Sequence, residues 1–84
     1  MFYVYLLRSK IKNWVYVGMT GDLNERVKRH NLGREKTTRS YRPFELIFVQ
    51  EFNERETGRD LEKFLKVRWN KEGLLSLIAG VVKW

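Results

Sequence analysis

Large apolar and β-branched residues come first in short unbroken runs and later at helical spacing. Phe2 to Leu7 (Phe-Tyr-Val-Tyr-Leu-Leu) contains no breaker and predicts a buried strand. Trp14 to Gly18 repeats that character after the polar connection Ser9 to Asn13. The pair predicts an antiparallel hairpin with a loop of about five residues. Gly18 and Gly21 mark a turn, and Thr20 or Asp22 can then cap a helix from Asp22 to about Leu32, with Gly33 as its stop. Gly33 to Pro43 is polar and basic and predicts an exposed loop. Phe44 to Phe52 predicts a third and central strand, with Pro43 at its entrance. Asn53 can cap a second helix, on which Leu61, Phe64, Leu65, Arg68 and Trp69 form one apolar-sided stripe at spacings of three and four. Gly73 breaks it from a final apolar helix, Leu74 to Val82. The order β-β-α-β-α-α over residues 1–84 predicts a single α+β domain, a three-stranded antiparallel sheet flanked by helices.

Composition narrows the function classes. Apolar residues make up 43% of the 84 and aromatics 14%, enough for a core, which excludes disorder despite 32% charged residues. With no cysteine, a disulfide framework, a zinc ribbon and a thiol nucleophile are excluded. The single histidine, His30, excludes most histidine-cluster metal sites. No Gly-rich phosphate loop is present, which argues against a nucleotide-driven enzyme. No apolar run approaches the roughly 18–20 residues of a membrane span, and the N-terminus has no signal-peptide pattern. The expectation is a cytoplasmic protein with no membrane partner.

Charge points to a partner. The net charge is +7, and the stretch from Arg26 to Arg42 holds Arg26, Lys28, Arg29, Arg34, Lys36, Arg39 and Arg42 against one acid, Glu35. Such a block attracts polyanions by counterion release, so nucleic acid is the leading partner class. The first helix sets Leu23, Arg26, Val27, His30 and Asn31 on one face. With Leu23 and Val27 toward the sheet, Arg26 and His30 lie beside the core, where phenolic hydroxyls can meet them. Tyr5, Tyr16, Arg26 and His30 can converge at one edge of the sheet. An arginine there can clamp a phosphate, and a tyrosine or histidine can move a proton. Phosphodiester hydrolysis also calls for charge neutralisation by a carboxylate-held metal. Glu62 on the second helix is the carboxylate best placed; its alternative is an ordinary surface acid paired with Lys66.

These residues carry a resemblance. Tyr3-Val4-Tyr5, then Tyr16-Val17-Gly18, Arg26 ten residues after Tyr16, His30 four later, and Glu62 in Arg-Asp-Leu-Glu-Lys-Phe-Leu-Lys resemble the GIY-YIG nuclease superfamily over roughly Phe2 to Lys66. The chain is most similar to its small stand-alone bacterial members, which are like the nuclease domain of the excision-repair C subunit. The resemblance implies a DNA endonuclease in which Tyr5 or Tyr16 activates water, Arg26 supports the phosphate and His30 assists proton movement. It also implies that Glu62 holds one Mg²⁺ or Mn²⁺, with Gly18 and, more loosely, Asn70 as further site positions. The remaining cations of the basic block, Lys28, Arg29, Arg34, Lys36, Arg39 and Arg42, are then the nucleic-acid-binding set. The chain departs from the family pattern at Tyr3, where the first motif has glycine, at Val4 and Val17, where it has isoleucine, and at Met19, where some relatives carry lysine.

The resulting expectation is a structure-tolerant or branch-preferring, repair-related endonuclease acting on DNA in preference to RNA. The alternatives are a catalytically weak nucleic-acid-binding module, or a partner-dependent subunit that docks or self-associates through Leu74 to Trp84. A separate sequence-recognition domain has no room in 84 residues, so sequence-specific cleavage is not expected.

Overall fold

A computed structural model describes residues 1–82, with side chains described through residue 78. Its strands are β1 (Phe2–Ser9), β2 (Val15–Thr20) and β3 (Phe44–Phe52), all antiparallel, in the spatial order β2-β1-β3. The centre of the sheet is therefore β1, not β3. The reason lies in burial on both faces: Val4, Tyr5, Leu6 and Leu7 are each 0% exposed. β3 is longer, but Glu45, Gln50 and Glu51 interrupt its apolar pattern, and Leu46 and Val49 are exposed as well. A strand with that much polar surface belongs at an edge.

Helices cover both faces, so the core has two halves. Val4, Leu6 and Val17 pack with Leu65 on one side of the sheet. Tyr5, Leu7 and Phe44 pack on the other, with Leu23 and Val27 of α1 (Leu23–Asn31) laid over them. The alternation along β1 sends adjacent residues to opposite halves. α1 begins at Asp22, whose Oδ1 accepts from the Glu25 backbone N–H at 3.2 Å. It stops at Gly33, whose φ of 76° lies in the left-handed region that glycine adopts without strain. The segment that follows contains a short 3₁₀ turn, Arg39–Tyr41, before Pro43 leads into β3.

α2 (Arg55–Lys66) starts from Glu54 rather than Asn53 and ends earlier than the stripe predicts. Val67 is extended (φ −74°, ψ 125°), and α3 (Arg68–Val82) begins directly after it, so Gly73 lies inside a helix instead of breaking one. The β-branched Val67 suits the extended conformation. Asn70 stabilises the break: its Nδ2 donates at 2.8 Å to the Phe64 carbonyl, which also accepts the Val67 N–H at 3.3 Å. The break divides the predicted stripe. Leu61 and Leu65 pack on the sheet, whereas Phe64 and Trp69 are turned outward.

Gly58 explains itself by packing. A Cβ there would meet Met19 Sδ at 3.2 Å and Phe52 Cδ2 at 3.4 Å, so glycine lets α2 approach the sheet closely. Of the apolar C-terminal stretch, Leu74, Leu75 and Ile78 pack against the core and Leu77 is exposed. The side chains of Val81, Val82 and Trp84 lie outside the described residues. Among the described residues no helix is long and apolar enough to cross a membrane.

Candidate active site

The strand register builds the first part of the site. Tyr5 lies opposite Gly18, and Leu7 opposite Tyr16, so the two tyrosines share the sheet face covered by α1. Their ring centroids are 6.2 Å apart, over the bare backbone of Gly18. A Cβ on Gly18 would meet Cζ and Oη of Tyr5 at 2.5 Å and Cε2 of Tyr16 at 2.8 Å. Glycine at this position is a spatial requirement of the tyrosine pair.

α1 supplies the second part. His30, one of its last residues, is 1% exposed and lies within the core rather than beside it. Its Nε2 meets the Tyr5 hydroxyl at 3.0 Å, and its Nδ1 meets Thr38 Oγ1 at 2.8 Å. Both ring nitrogens thus have buried partners, which removes the cost of roughly 1–3 kcal/mol that an unpaired buried polar group carries. Burial pushes the His30 pKa below its ordinary value, against an opposing pull from Glu35. The imidazole is held neutral, one nitrogen donating and the other accepting. Tyr5 is pushed well above the ordinary phenol range, first by burial and then by Tyr16, with the Arg26 charge pulling the other way. Its proton stays on.

An aromatic wall surrounds this chain of hydrogen bonds. Tyr16 lies 4.9 Å from the His30 ring, and Phe44 meets that ring edge-on at 6.0 Å. Trp14 stacks on Tyr41 at 4.0 Å, with Lys12 Nζ 4.9 Å from the Tyr41 centroid. Tyr16 itself is only half-buried.

Arg26 stands one turn before His30, its side chain 39% exposed and 3.9 Å from Glu35 Oε1. Arg29 donates to the same oxygen at 2.9 Å. The loop between Gly33 and Pro43 is thus tied down, not simply exposed. Glu35 binds Arg29, Thr38 binds His30, and the Arg42 guanidinium lies against Gly33 and donates to the Arg39 carbonyl at 3.1 Å. Lys28, Arg34, Lys36, Arg39 and Arg42 are exposed on and around it.

The structure therefore brings together Tyr5, Tyr16, Gly18, Arg26 and His30. Glu62 comes from the other layer: α2 packs across the sheet face of Val4, Leu6 and Val17, and the Glu62 side chain, 15% exposed, pairs with Lys66 at 3.3 Å. Asn70 caps α2 and has no place in the tyrosine cluster. Among the described residues no three His, Asp or Glu side chains are grouped to hold an ion. A divalent ion would rest on Glu62 and on oxygens from substrate and water, a donor set that suits the hard ions Mg²⁺ and Mn²⁺. Thr38 was not legible beforehand, because nothing distinguishes it from Thr37 in a polar loop. Glu35 carried one signal, as the lone acid in the basic block.

A small α+β domain with paired tyrosines on a hairpin and an arginine on the next helix defines a nuclease class. Residues 1–74 match the GIY-YIG catalytic domain, and the chain belongs to the GIY-YIG nuclease family. Nucleases of this family act on nucleic acids and are generally divalent-metal dependent. Among curated relatives, the UPF0213 protein YazA of Bacillus subtilis is 38% identical over 65 residues, covering 76% of this chain and 65% of that one. The chain thus spans just under two thirds of that relative. The UPF0213 protein BH0048 of Halalkalibacterium halodurans is 38% identical over 81 residues, 93% of this chain and 85% of its own. The solution NMR structure of BH0048 superposes with a TM-score of 0.58 at 37% identity, covering 92% of this chain and 85% of that chain.

Proposed function

We propose that this protein is a metal-dependent endonuclease that hydrolyses DNA phosphodiesters, with Tyr16, once its own proton has passed to solvent, taking the proton of the attacking water as a phenolate and Arg26 supporting the phosphate. The observation that carries the assignment is the state of Tyr5. Its hydroxyl is fully buried and bonded to His30 at 3.0 Å, away from solvent. A group in that condition cannot accept a proton from solvent-borne water, whereas half-buried Tyr16 is the phenol within reach. Tyr5, His30 and Thr38 then serve as positioning residues: they fix the floor on which Tyr16 and Arg26 stand. This changes the role of His30 from proton carrier to internal support.

Glu62 is the residue to hold Mg²⁺ or Mn²⁺, and the ion supplies neutralisation of charge on the phosphate. Lys66 pairs with Glu62 Oε2 at 3.3 Å, and the Glu62 carboxylate would be the group to hold the ion. The exposed cations Lys28, Arg34, Lys36, Arg39 and Arg42 suit contacts to backbone phosphates, which carry no sequence information. Such contacts suit cleavage directed by the shape of the DNA, such as a branch, and the repair role in this proposal rests on the resemblance to the excision-repair nuclease domain.

The test is incubation of supercoiled plasmid and branched DNAs with Mg²⁺, Mn²⁺ or EDTA, comparing wild type with Glu62→Ala and Tyr16→Phe. Nicking that needs the metal and is lost in both variants is expected. Binding without any product across the panel would make the protein a nucleic-acid-binding module instead.

A further inference from the structure

The basic block has one occupant of opposite sign. Glu35 Oε1 accepts from Arg29 Nε at 2.9 Å and lies 3.9 Å from Arg26 Nε, with the Glu35 side chain only 27% exposed. Its pKa lies below the ordinary carboxylate range, chiefly through the Arg29 hydrogen bond. Arg26 and Arg29 are three residues apart on α1, so their side chains leave the same face of the helix. Two guanidiniums converging on one carboxylate oxygen have the geometry of an anion site. A phosphodiester offers the same features: a single negative charge and two acceptor oxygens within reach of two donor forks. Both ion pairs are part-exposed, so neither binds the carboxylate strongly enough to resist a competing anion.

We infer that Arg26 and Arg29 form a single-phosphate clamp that Glu35 fills in the free protein and that a phosphodiester of the bound strand takes over. The inference deepens, and rests on, the reading of Arg26 as a phosphate-holding residue. Until substrate arrives, Glu35 holds two long side chains in a converged arrangement and screens them from weaker anions. Displacing it does not unravel the loop, because Thr38, three residues on, remains bonded to His30. The competing role for Glu35 is a simple tether of that loop, and the two roles predict opposite signs when its charge is removed.

The experiment uses the full chain in EDTA, so that binding is read without hydrolysis. Affinity for a fluorescein-labelled oligothymidylate is followed by anisotropy, and inorganic phosphate is titrated while the Arg26 and Arg29 Nε–Hε signals are followed by NMR. Glu35→Gln keeps the shape and removes the charge. It is expected to bind the oligonucleotide roughly two- to fivefold more tightly, the range set by losing part-exposed ion pairs of which the Arg29 pair is the closer, and to shift both arginine signals at lower phosphate. Adding Arg29→Ala is expected to abolish that gain. Glu35→Asp, with the charge on a shorter stem, is expected to fall between wild type and Glu35→Gln. Equal or weaker oligonucleotide binding by a folded Glu35→Gln overturns the inference. If Glu35→Gln is destabilised, Glu35→Asp decides: binding below wild type assigns the tether role and overturns the clamp. Arginine signals that respond to phosphate without any gain for the oligonucleotide describe a free-anion site, which also overturns it. Plasmid nicking is scored separately, so failure of the nuclease reading leaves this comparison intact.

Discussion

Tyr5 and Tyr16 differ in chemistry because of one hydrogen bond and one layer of burial. Tyr16→Phe is expected to abolish nicking while oligonucleotide binding and melting temperature stay near wild type, as checked by plasmid assay, anisotropy and thermal melts. Tyr5→Phe removes the partner of a buried imidazole nitrogen, and Thr38→Val removes the other. Each is expected to lower stability by about 1–3 kcal/mol in denaturant unfolding, the cost of an unsatisfied buried polar group. His30 also makes a pH prediction. Its folded pKa is depressed by burial, so below about 6.5 the unfolded chain binds a proton that the folded chain refuses. The stability it contributes is complete above that value and is lost as pH falls through the window beneath it. Melts taken between about pH 7.5 and 5.5 are expected to show a falling midpoint, and a His30→Gln variant that still folds is expected to flatten the slope.

At the level of elements, the hairpin and α1 position the chemistry. Gly18→Ala would drive a methyl into two tyrosine rings, one of them fixed in the core. It is expected to cost about 1–3 kcal/mol as an overpacking change and to reduce nicking beyond that, through displacement of Tyr16. Asn70→Ala tests a different element. It removes the cap on the Phe64 carbonyl and is expected to lower stability by about 0.5–1.5 kcal/mol in chemical unfolding while nicking per folded molecule is retained. The elements themselves were largely legible, because the apolar runs in the strands and the cap-and-glycine bounds of α1 are local signals. What failed depended on three-dimensional context. β3 has enough apolar residues to read as central, and its polar Glu45, Gln50 and Glu51 weigh against that only beside a β1 buried on both faces. The apolar stripe of α2 runs on through Val67 without any sign that the backbone breaks there. His30 reads as lying beside the core within reach of a phenolic hydroxyl, and the Thr38 bond on its other nitrogen, which no local signal marks, completes its burial.

For the molecule as a whole, the charge distribution sets the expected behaviour. The logarithm of DNA affinity is expected to fall linearly with the logarithm of salt, and each of Lys28→Ala and Lys36→Ala to reduce the slope by up to about 1. Both residues are exposed and form no part of the core, so their removal leaves the fold unchanged.

The buried chain Thr38–His30–Tyr5 also joins contacts of different range. Thr38 lies eight positions from His30, whereas Tyr5 lies twenty-five away. A loop of about ten residues closes in roughly 10–100 ns, and longer closures carry a greater entropic cost. The contact of α1 with its own loop is thus as local as the β1–β2 hairpin, whose partners lie 7–17 residues apart, and Tyr5–His30 is the longer link that joins the two. That link exists only where α1 lies on the sheet face that carries Tyr5. Tyr5 and Tyr16 meet on the hairpin, whereas Arg26 and His30 are carried by α1, so the full cluster exists only where hairpin and helix are docked, and anything that parts those two layers takes the site apart before it unpairs the sheet.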